Sequence, residues 1–184
     1  TIVKATGTTT LYLADDLTRK IKLASESQAK SVSDSKIYSF TKTELAKLQT
    51  RTGFTSIKVQ CDADTYLLDG GTLYPIAPEA SANYPGTPYP LAVSTCAGLN
   101  VSTRAVGQFL RDNKGLLYLV VNGKKSRIKS WTHYATLVGD GPGYIKASAY
   151  FSSKIPTSGT APTTIQLAST EGTPSGVFDQ ESFT

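Results

Sequence analysis

The chain has 184 residues, a formal net charge of +5, two cysteines and one histidine. This length fits one apolar core or one short repeat array. No apolar run approaches the roughly 18 to 20 residues that a membrane-spanning helix needs, so we expect no membrane span. A structural metal site takes about four ligands, so we also expect no metal and no cofactor.

One pattern occurs three times along the chain. A Tyr-Leu pair, a turn dipeptide and an isoleucine recur in the segments TLYLADDLTRKI, DTYLLDGGTLYPI and LLYLVVNGKKSRI. Tyr12, Tyr66 and Tyr118 mark the three copies, 54 and 52 residues apart. Self-similarity at a fixed period indicates a tandem array of one structural unit. We assign the units to residues 1–53, 54–106 and 107–160, with residues 161–184 as a partial fourth unit or a closing strand.

Each unit is predicted to begin with a three-stranded meander. In unit 1 the first two strands are Ile2–Ala5 and Leu11–Ala14. A tight turn then leads to the third strand, because Asp-Gly and Asn-Gly tolerate the positive φ that such hairpins require. The predicted turn dipeptides are Asp15-Asp16, Asp69-Gly70 and Asn122-Gly123. The isoleucines of the third strands are Ile21, Ile76 and Ile128.

The second half of each unit is predicted to hold a short strand and a short helix. The segments FTKTELAKLQT, VSTCAGLNVST and ASAYFSSKIPT align without gaps. In the first, Thr41 and Glu44 have the spacing of a capping box, which predicts a helix start. Units 2 and 3 are predicted to keep only the serine caps, at Ser94 and Ser148. The preceding strands are predicted to end at Phe40, Val93 and Ala147.

Both cysteines, Cys61 and Cys96, fall in unit 2. A pair confined to one unit favours a disulfide that ties the first hairpin of that unit to its capped helix. Such a bond forms in an oxidising compartment, so it also predicts an exported protein. The alternative is a pair of free thiols in an intracellular protein.

Basic residues are concentrated on one predicted strand of unit 3. Lys125, Arg127 and Lys129 alternate along it, which places them on one face. This face is interpreted either as a contact for an anionic partner or as a solvated outer strand face. Nucleic acid is a disfavoured partner, because base-stacking aromatics are not interleaved with the charges.

Catalytic motifs are sparse. His133 is the single histidine and no G-x-S-x-G motif occurs, so a serine hydrolase triad is not predicted. Asp62, Asp64 and Asp69 lie close in sequence but lack the glycine and glutamate of an EF-hand loop. The catalytic alternative is a hydrolase of wall or glycan polymers whose carboxylates are brought together by the fold.

Aromatic residues are the main candidates for a ligand site. Unit 3 carries Trp131, His133 and Tyr134 directly after its basic strand, and unit 2 carries Tyr84 and Tyr89 in a proline-rich loop. An aromatic ring covers the apolar face of a sugar while nearby cations meet its charge. We therefore expect unit 3 to contribute most to binding and unit 2 second. The alternative for Trp131 is a core position between units.

The segments YLLDGGTLYPI and YLVVNGKKSRI, with SKIPTSG as a closing turn, resemble a known type of tandem repeat. These are the VYLVDGG-x-K/R-x-I repeats of secreted, cell-wall-associated proteins of Gram-positive bacteria, actinobacteria especially. Unit 1 departs from that pattern, since Asp15-Asp16 replaces Asp-Gly. The resemblance implies a non-catalytic module that accompanies exported domains such as cell-wall hydrolases.

These patterns predict a mainly β fold, built as a tandem array of three meander units of about 53 residues with short helices. The array is expected to form a propeller-like or pseudo-threefold body. The predicted function is an exported, non-catalytic module that anchors its protein at the cell surface. Its expected partner is a cell-wall polymer, a surface glycan or another exported protein.

Overall fold

The computed structural model describes residues 1–33, 36–76, 78–138 and 143–163, without the side chains of residues 78 and 79. Within these ranges the chain forms three separate five-stranded sheets, each with two short helices between its later strands, so the mainly β prediction is confirmed. The sheets do not close into a barrel, and a propeller-like arrangement stays a prediction. Residues 164–184, which hold most of the predicted fourth unit, lie outside the described residues.

Unit 1 shows the topology that all three units share. Its first three strands form an antiparallel meander, and each outer strand of that meander gains a parallel partner from the second half of the unit. The strand order is β4-β1-β2-β3-β5. The elements are β1 (Ile2–Ala5), β2 (Leu11–Ala14), β3 (Arg19–Lys22), α1 (Glu26–Val32), β4 (Ile37–Phe40), α2 (Lys42–Ala46) and β5 (Gln49–Arg51).

Units 2 and 3 repeat this order, with sheets β10-β8-β7-β6-β9 and β14-β11-β12-β13-β15. Unit 2 contains β6 (Lys58–Cys61), β7 (Asp64–Asp69), β8 (Thr72–Pro75), α3 (Pro78–Ser81), β9 (Tyr89–Pro90), α4 (Val93–Ala97) and β10 (Asn100–Val101). Unit 3 contains β11 (Phe109–Arg111), β12 (Leu117–Val121), β13 (Lys124–Arg127), α5 (Trp131–Val138), β14 (Tyr144–Lys146), α6 (Ala149–Ser153) and β15 (Thr157–Thr160). The repeat in sequence is therefore also a repeat in structure, because each unit has the same order of strands and helices.

The predicted hairpin turns of units 2 and 3 fall within one residue of their expected places, whereas in unit 1 residues 15–18 join the strands and the tight Asp15-Asp16 turn is wrong. In unit 3 the turn residues are Asn122 and Gly123, whose φ values are 50° and 73°. In unit 2 they are Gly70 and Gly71, because Asp69 is still paired as the last residue of β7. Positive φ at both turn positions matches the right-handed twist of the strands they connect.

The hydrophobic core lies in layers between successive sheets. One cluster joins unit 1 to unit 2, with Leu13 and Val59 among its buried members. A second cluster joins unit 2 to unit 3, with Leu67 and Leu110 among its members. Two smaller clusters belong to the outer faces of units 1 and 3. No cluster among the described residues combines unit 1 with unit 3, although helix α1 contacts helix α6.

A carboxylate caps the second helix of every unit. In unit 1 the backbone N–H and the hydroxyl of Thr41 donate to Glu44 Oε2 at 2.8 and 2.7 Å, so the predicted capping box is confirmed. In unit 3 the same two groups of Ser148 donate to Asp69, each at 2.6 Å. Asp69 belongs to the hairpin of unit 2. Ser148 is the predicted serine cap, since its hydroxyl accepts the N–H of Phe151 at 3.1 Å, and the carboxylate that binds it comes from the preceding unit.

The carboxylate that binds the cap residue of unit 2 comes from unit 1 in the same way. The carboxylate of Asp15 is fully buried, accepts the N–H of Ala92 at 2.8 Å and pairs with Arg51 at 2.5 Å. The hydroxyl of Thr95 donates to the backbone carbonyl oxygen of Asp15 and lies 3.2 Å from its carboxylate. The predicted serine cap is wrong here, because helix α4 begins after Ala92 and Ser94 lies inside it. Asp15 takes the place of Glu44 of unit 1 as the acceptor for the cap residue, and this helix has no side-chain cap of its own.

Buried lysines hold the other end of two of these helices. Lys20 Nζ donates to the carbonyl oxygen of Leu45 at 2.8 Å, at the end of α2. Lys125 Nζ donates to the carbonyl oxygen of Ser152, which lies at the corresponding position of α6. A cation is favourable there, because the last carbonyl groups of a helix lack partners within it.

Unit 2 holds its helix with the disulfide instead. The position of α4 that corresponds to Leu45 and Ser152 is Cys96, four residues after the cap. Cys96 is bonded to Cys61 at the end of β6, so the predicted disulfide is confirmed. In unit 2 a covalent bond thus holds the end of the second helix, as a lysine ammonium group does in units 1 and 3.

Candidate functional site

An aromatic cluster lies at the start of helix α5. Trp131, Tyr134 and Tyr144 have ring centroids 5.6 to 6.1 Å apart. Ser130 starts the helix by accepting the N–H of His133 at 3.0 Å, and residues 131 and 134 share one helix face because they are three positions apart. Tyr134 is anchored edge-on against the buried ring of Phe109. The Trp131 side of the cluster faces solvent, with 56% of this residue exposed.

Arg111 supplies the positive charge of this cluster. Its guanidinium group lies 5.8 Å from the ring centroids of both Trp131 and Tyr144, within the range of a cation–π contact. Its Nε also donates to the carbonyl oxygen of Gly115 at 3.3 Å. Sequence analysis missed Arg111, which lies 20 residues before Trp131. The parallel pairing of β11 with β14 brings Arg111 beside Tyr144, whose ring in turn contacts Trp131.

A groove between units 2 and 3 adjoins the cluster, and we call it groove 2–3. Its volume is about 420 Å³. Tyr134 and Tyr144 form its aromatic wall, and Arg104 and Lys146 bring positive charge. Burial raises the pKa of the hydroxyl of Tyr134, so this phenol stays neutral at physiological pH and is available for hydrogen bonding. The other lining residues are Tyr74, Ser102, Ala105, Gly143 and Ile145.

A similar groove, groove 1–2, lies where unit 2 joins unit 1, and Lys154 of unit 3 also lines it. Its volume is about 660 Å³, and it is lined by residues 52–57, residues 85–89 and Lys154. Tyr89 stacks on Phe54 with centroids 4.9 Å apart and donates its hydroxyl to the carbonyl oxygen of Thr52 at 2.7 Å. The guanidinium group of Arg51 lies 5.0 Å from the centroid of the same ring. Tyr89, which the sequence predicted as a ligand contact, thus lines a groove.

The predicted cationic strand face needs correction. Lys125 is only 7% exposed, and its ammonium group serves the carbonyl of Ser152 inside the unit. Arg127 and Lys129 are exposed but stand apart from it. The alternation itself holds, because β13 pairs with β12 in continuous register, but the face at Lys125 is covered by helix α6. The cations nearest the aromatic cluster come from other strands and loops.

Two predicted contact residues have structural partners. Tyr84 is buried, and its hydroxyl donates to the carbonyl oxygen of Gly107 at 2.6 Å, which removes it from the ligand surface. His133 lies beside the cluster, with Nε2 at 2.8 Å from the carbonyl oxygen of Pro162 and Nδ1 at 3.4 Å from the backbone nitrogen of Lys129. This pattern fits a neutral imidazole that donates from Nε2 and holds the segment after β15 against α5.

The carboxylates named for a hydrolase do not converge on a groove. Asp69 is buried and accepts hydrogen bonds from Ser148 and from the hydroxyl of Ser31 at 2.7 Å. Asp62 and Asp64 are exposed at the tight turn between β6 and β7. Among the described residues, no three His, Cys, Asp or Glu side chains are grouped as metal ligands. No helix in the same ranges has the length and hydropathy to cross a membrane.

No family model matches the chain, and no curated protein matches it in sequence. The two grooves and the aromatic cluster are therefore interpreted from their geometry and chemistry.

Proposed function

We propose that this chain is an exported, non-catalytic binding module that anchors its protein to an anionic polysaccharide of the cell wall or cell surface. The observation that carries the proposal is the half-exposed indole of Trp131, which stands beside two tyrosines and Arg111 at groove 2–3. A large exposed aromatic side chain that is fixed in place is typical of a binding surface.

The chemistry of the site favours an acidic sugar polymer. The rings of Trp131 and Tyr144 offer apolar faces to sugar rings, and Arg104, Arg111 and Lys146 offer positive charge to carboxylate or phosphate groups. The formal net charge of +5 steers such a polymer towards the protein. Neutral phenols add hydrogen bonds to sugar hydroxyls.

The disulfide supports the proposal of export. Cys61 and Cys96 form a bond that persists in oxidising compartments, and the same pair would be reduced by the thiol systems of a cytosol. A surface or secreted location also brings the module to its proposed ligand.

The experiment is a sedimentation assay on isolated Gram-positive cell walls, with a salt titration. Trp131→Ala is expected to weaken binding by about 1 to 3 kcal/mol, as for a hot-spot aromatic residue. Tyr38→Ala is the matched control, because Tyr38 is also an exposed aromatic residue but lies on β4 of unit 1 and lines neither groove. Binding should fade with added salt, since charge contributes.

Two further arms separate the proposal from its competitors. Protease-treated walls should still bind, and loss of binding after that treatment would point to a protein partner. Release of soluble sugar from the walls by the purified chain would show turnover and would support the hydrolase alternative. Equal binding by Trp131→Ala and Tyr38→Ala would contradict the proposed site.

A further inference from the structure

The two grooves occupy equivalent places in the repeat. Groove 1–2 lies between the segment that follows β5 and the strand β9 of the next unit. Groove 2–3 lies between the segment that follows β10 and the strand β14 of the next unit. Strands β9 and β14 are the corresponding edge strands, since each pairs parallel with the first strand of its meander. One inter-unit groove is therefore present twice.

Both grooves combine an aromatic wall with a cation. Groove 1–2 has Tyr89 and Lys154, and groove 2–3 has Tyr144 and Arg104. Among the described residues, neither Lys154 nor Arg104 is in an ion pair within 4.0 Å. Lys154 Nζ lies 4.9 Å from the ring centroid of Tyr150, but neither cation has a counter-ion among the described residues, so each can still meet an anionic ligand. The chemistry that supports binding in groove 2–3 recurs one unit away.

Groove 1–2 is held open by its backbone. The loop of residues 85–89 passes close to the segment of residues 52–57, and a Cβ on Gly86 would stand 2.6 Å from Ser56 Oγ. Gly86 also has a φ of 91°, which a side chain rarely adopts. The loop conformation that forms this wall therefore depends on glycine.

The distance between the grooves is bounded by the chain itself. Lys146 lines groove 2–3 and Lys154 lines groove 1–2, with helix α6 between them. Two extended residues at about 3.3 Å each and six helical steps at about 1.5 Å each put the two Cα atoms within about 16 Å. A few sugar rings of one polymer bridge such a distance.

We infer that groove 1–2 is a second subsite for the same anionic polysaccharide, so that one polymer chain engages both grooves. The inference rests on the proposed function, which concerns groove 2–3. Linking two weak sites through one ligand raises the apparent affinity without any new contact, provided that the ligand spans them. Short fragments fill one groove only, whereas longer chains gain this effect.

The test measures affinity against chain length, with oligogalacturonates from dimers to long chains as the probe and neutral dextran fractions as the charge control. Long fractions are expected to bind roughly a hundredfold tighter than dimers, with a plateau once the chain spans both grooves. Lys154→Gln should lose most of this gain and bind dimers normally. Lys42→Gln, which removes an exposed charge from helix α2, should behave as wild type.

The outcomes are distinct for the two proposals. One outcome overturns the second subsite and leaves the proposed function standing. In it, dimers bind, Trp131→Ala abolishes their binding, and affinity does not change with chain length. Equal length dependence in Lys154→Gln and Lys42→Gln also overturns the second subsite. If no oligogalacturonate binds, or if dextran binds equally well, the anionic polysaccharide is wrong and the inference fails with it.

Discussion

Removal of the Asp69 carboxylate is the strongest test of how the units are held together. It is 4% exposed and accepts three hydrogen bonds, from the N–H and hydroxyl of Ser148 in unit 3 and from the hydroxyl of Ser31 in unit 1. One side chain of unit 2 thus contacts both other units. Asp69→Ala removes all three acceptor contacts and places no new group among the donors.

The expected cost is about 3 to 5 kcal/mol of the free energy of unfolding. Each hydrogen bond to a charged group contributes about 1.5 to 3 kcal/mol, and an N–H left without a partner adds about 1 to 3 kcal/mol. The carboxylate no longer has to be desolvated in the variant, which offsets part of that sum. Two of the donors are hydroxyls that can turn to other acceptors, which lowers the cost further.

Urea unfolding followed by circular dichroism measures this cost, and Glu44→Ala is the matched control. Glu44 makes the same two contacts to the cap residue Thr41, but at an exposed position within one unit. Its removal should cost clearly less, because water replaces the lost acceptor. If Asp69→Ala costs no more than Glu44→Ala, the carboxylate does not join the units as argued.

Three further predictions concern stability. Reduction of the Cys61–Cys96 disulfide should lower the free energy of unfolding by about 4 kcal/mol in the chain-entropy model, from the sequence separation of 35, as measured by urea unfolding with and without reductant. Lys125→Met keeps the apolar stem but removes the donors to Ser152, so it should cost about 1 to 3 kcal/mol in the same assay, whereas Lys124→Met at an exposed position should cost little. Burial raises the pKa of the Tyr84 hydroxyl far above 10, so this tyrosine ionises at a lower pH in the unfolded chain than in the folded one. The neutral buried phenol therefore contributes stability that is complete below pH 10 and is lost as the pH rises towards the folded-state pKa. The urea midpoint should therefore fall above pH 10, and less steeply in Tyr84→Phe; an equal fall in both would contradict the assignment.

Local chemistry made much of the fold predictable. The strands Ile2–Ala5 and Leu11–Ala14, the Asn122-Gly123 turn and the Thr41 capping box each depend on a few neighbouring residues, and the structure contains all of them. The disulfide was also accessible, because both cysteines fall in one unit and a repeat places its parts at comparable distances.

Contacts between units could not be predicted from local sequence in the same way. Asp15 and Asp69 have the composition of turn residues, and nothing in their local sequence indicates that they cap helices 77 to 79 residues further along the chain. The sequence alignment of the helices was shifted in unit 2, because a serine cap was expected where the cap is Ala92. An alanine at the cap gives no local signal for a helix start, whereas Ser148 of unit 3 keeps that signal.

The candidate site was predicted in part for the same reason. Trp131 and Tyr134 belong to one helix, so their proximity follows from helical spacing. Arg111 and Arg104 reach the site from a different strand and a different unit, which requires knowledge of the sheet order. Lys125 was misplaced because alternation gives the face of a residue but not whether that face is covered by a helix.

The direction in which capping carboxylates pass along the array bears on how such a chain can grow. Unit 1 donates a carboxylate through Asp15 and carries Glu44 for its own helix, whereas unit 3 receives one from Asp69 and has Val121 at the donating position. Unit 2 both receives and donates. A gene duplication of unit 2 would therefore insert a compatible neighbour on each side, while a copy of unit 1 or unit 3 placed in the middle would leave one junction with two carboxylates or with none.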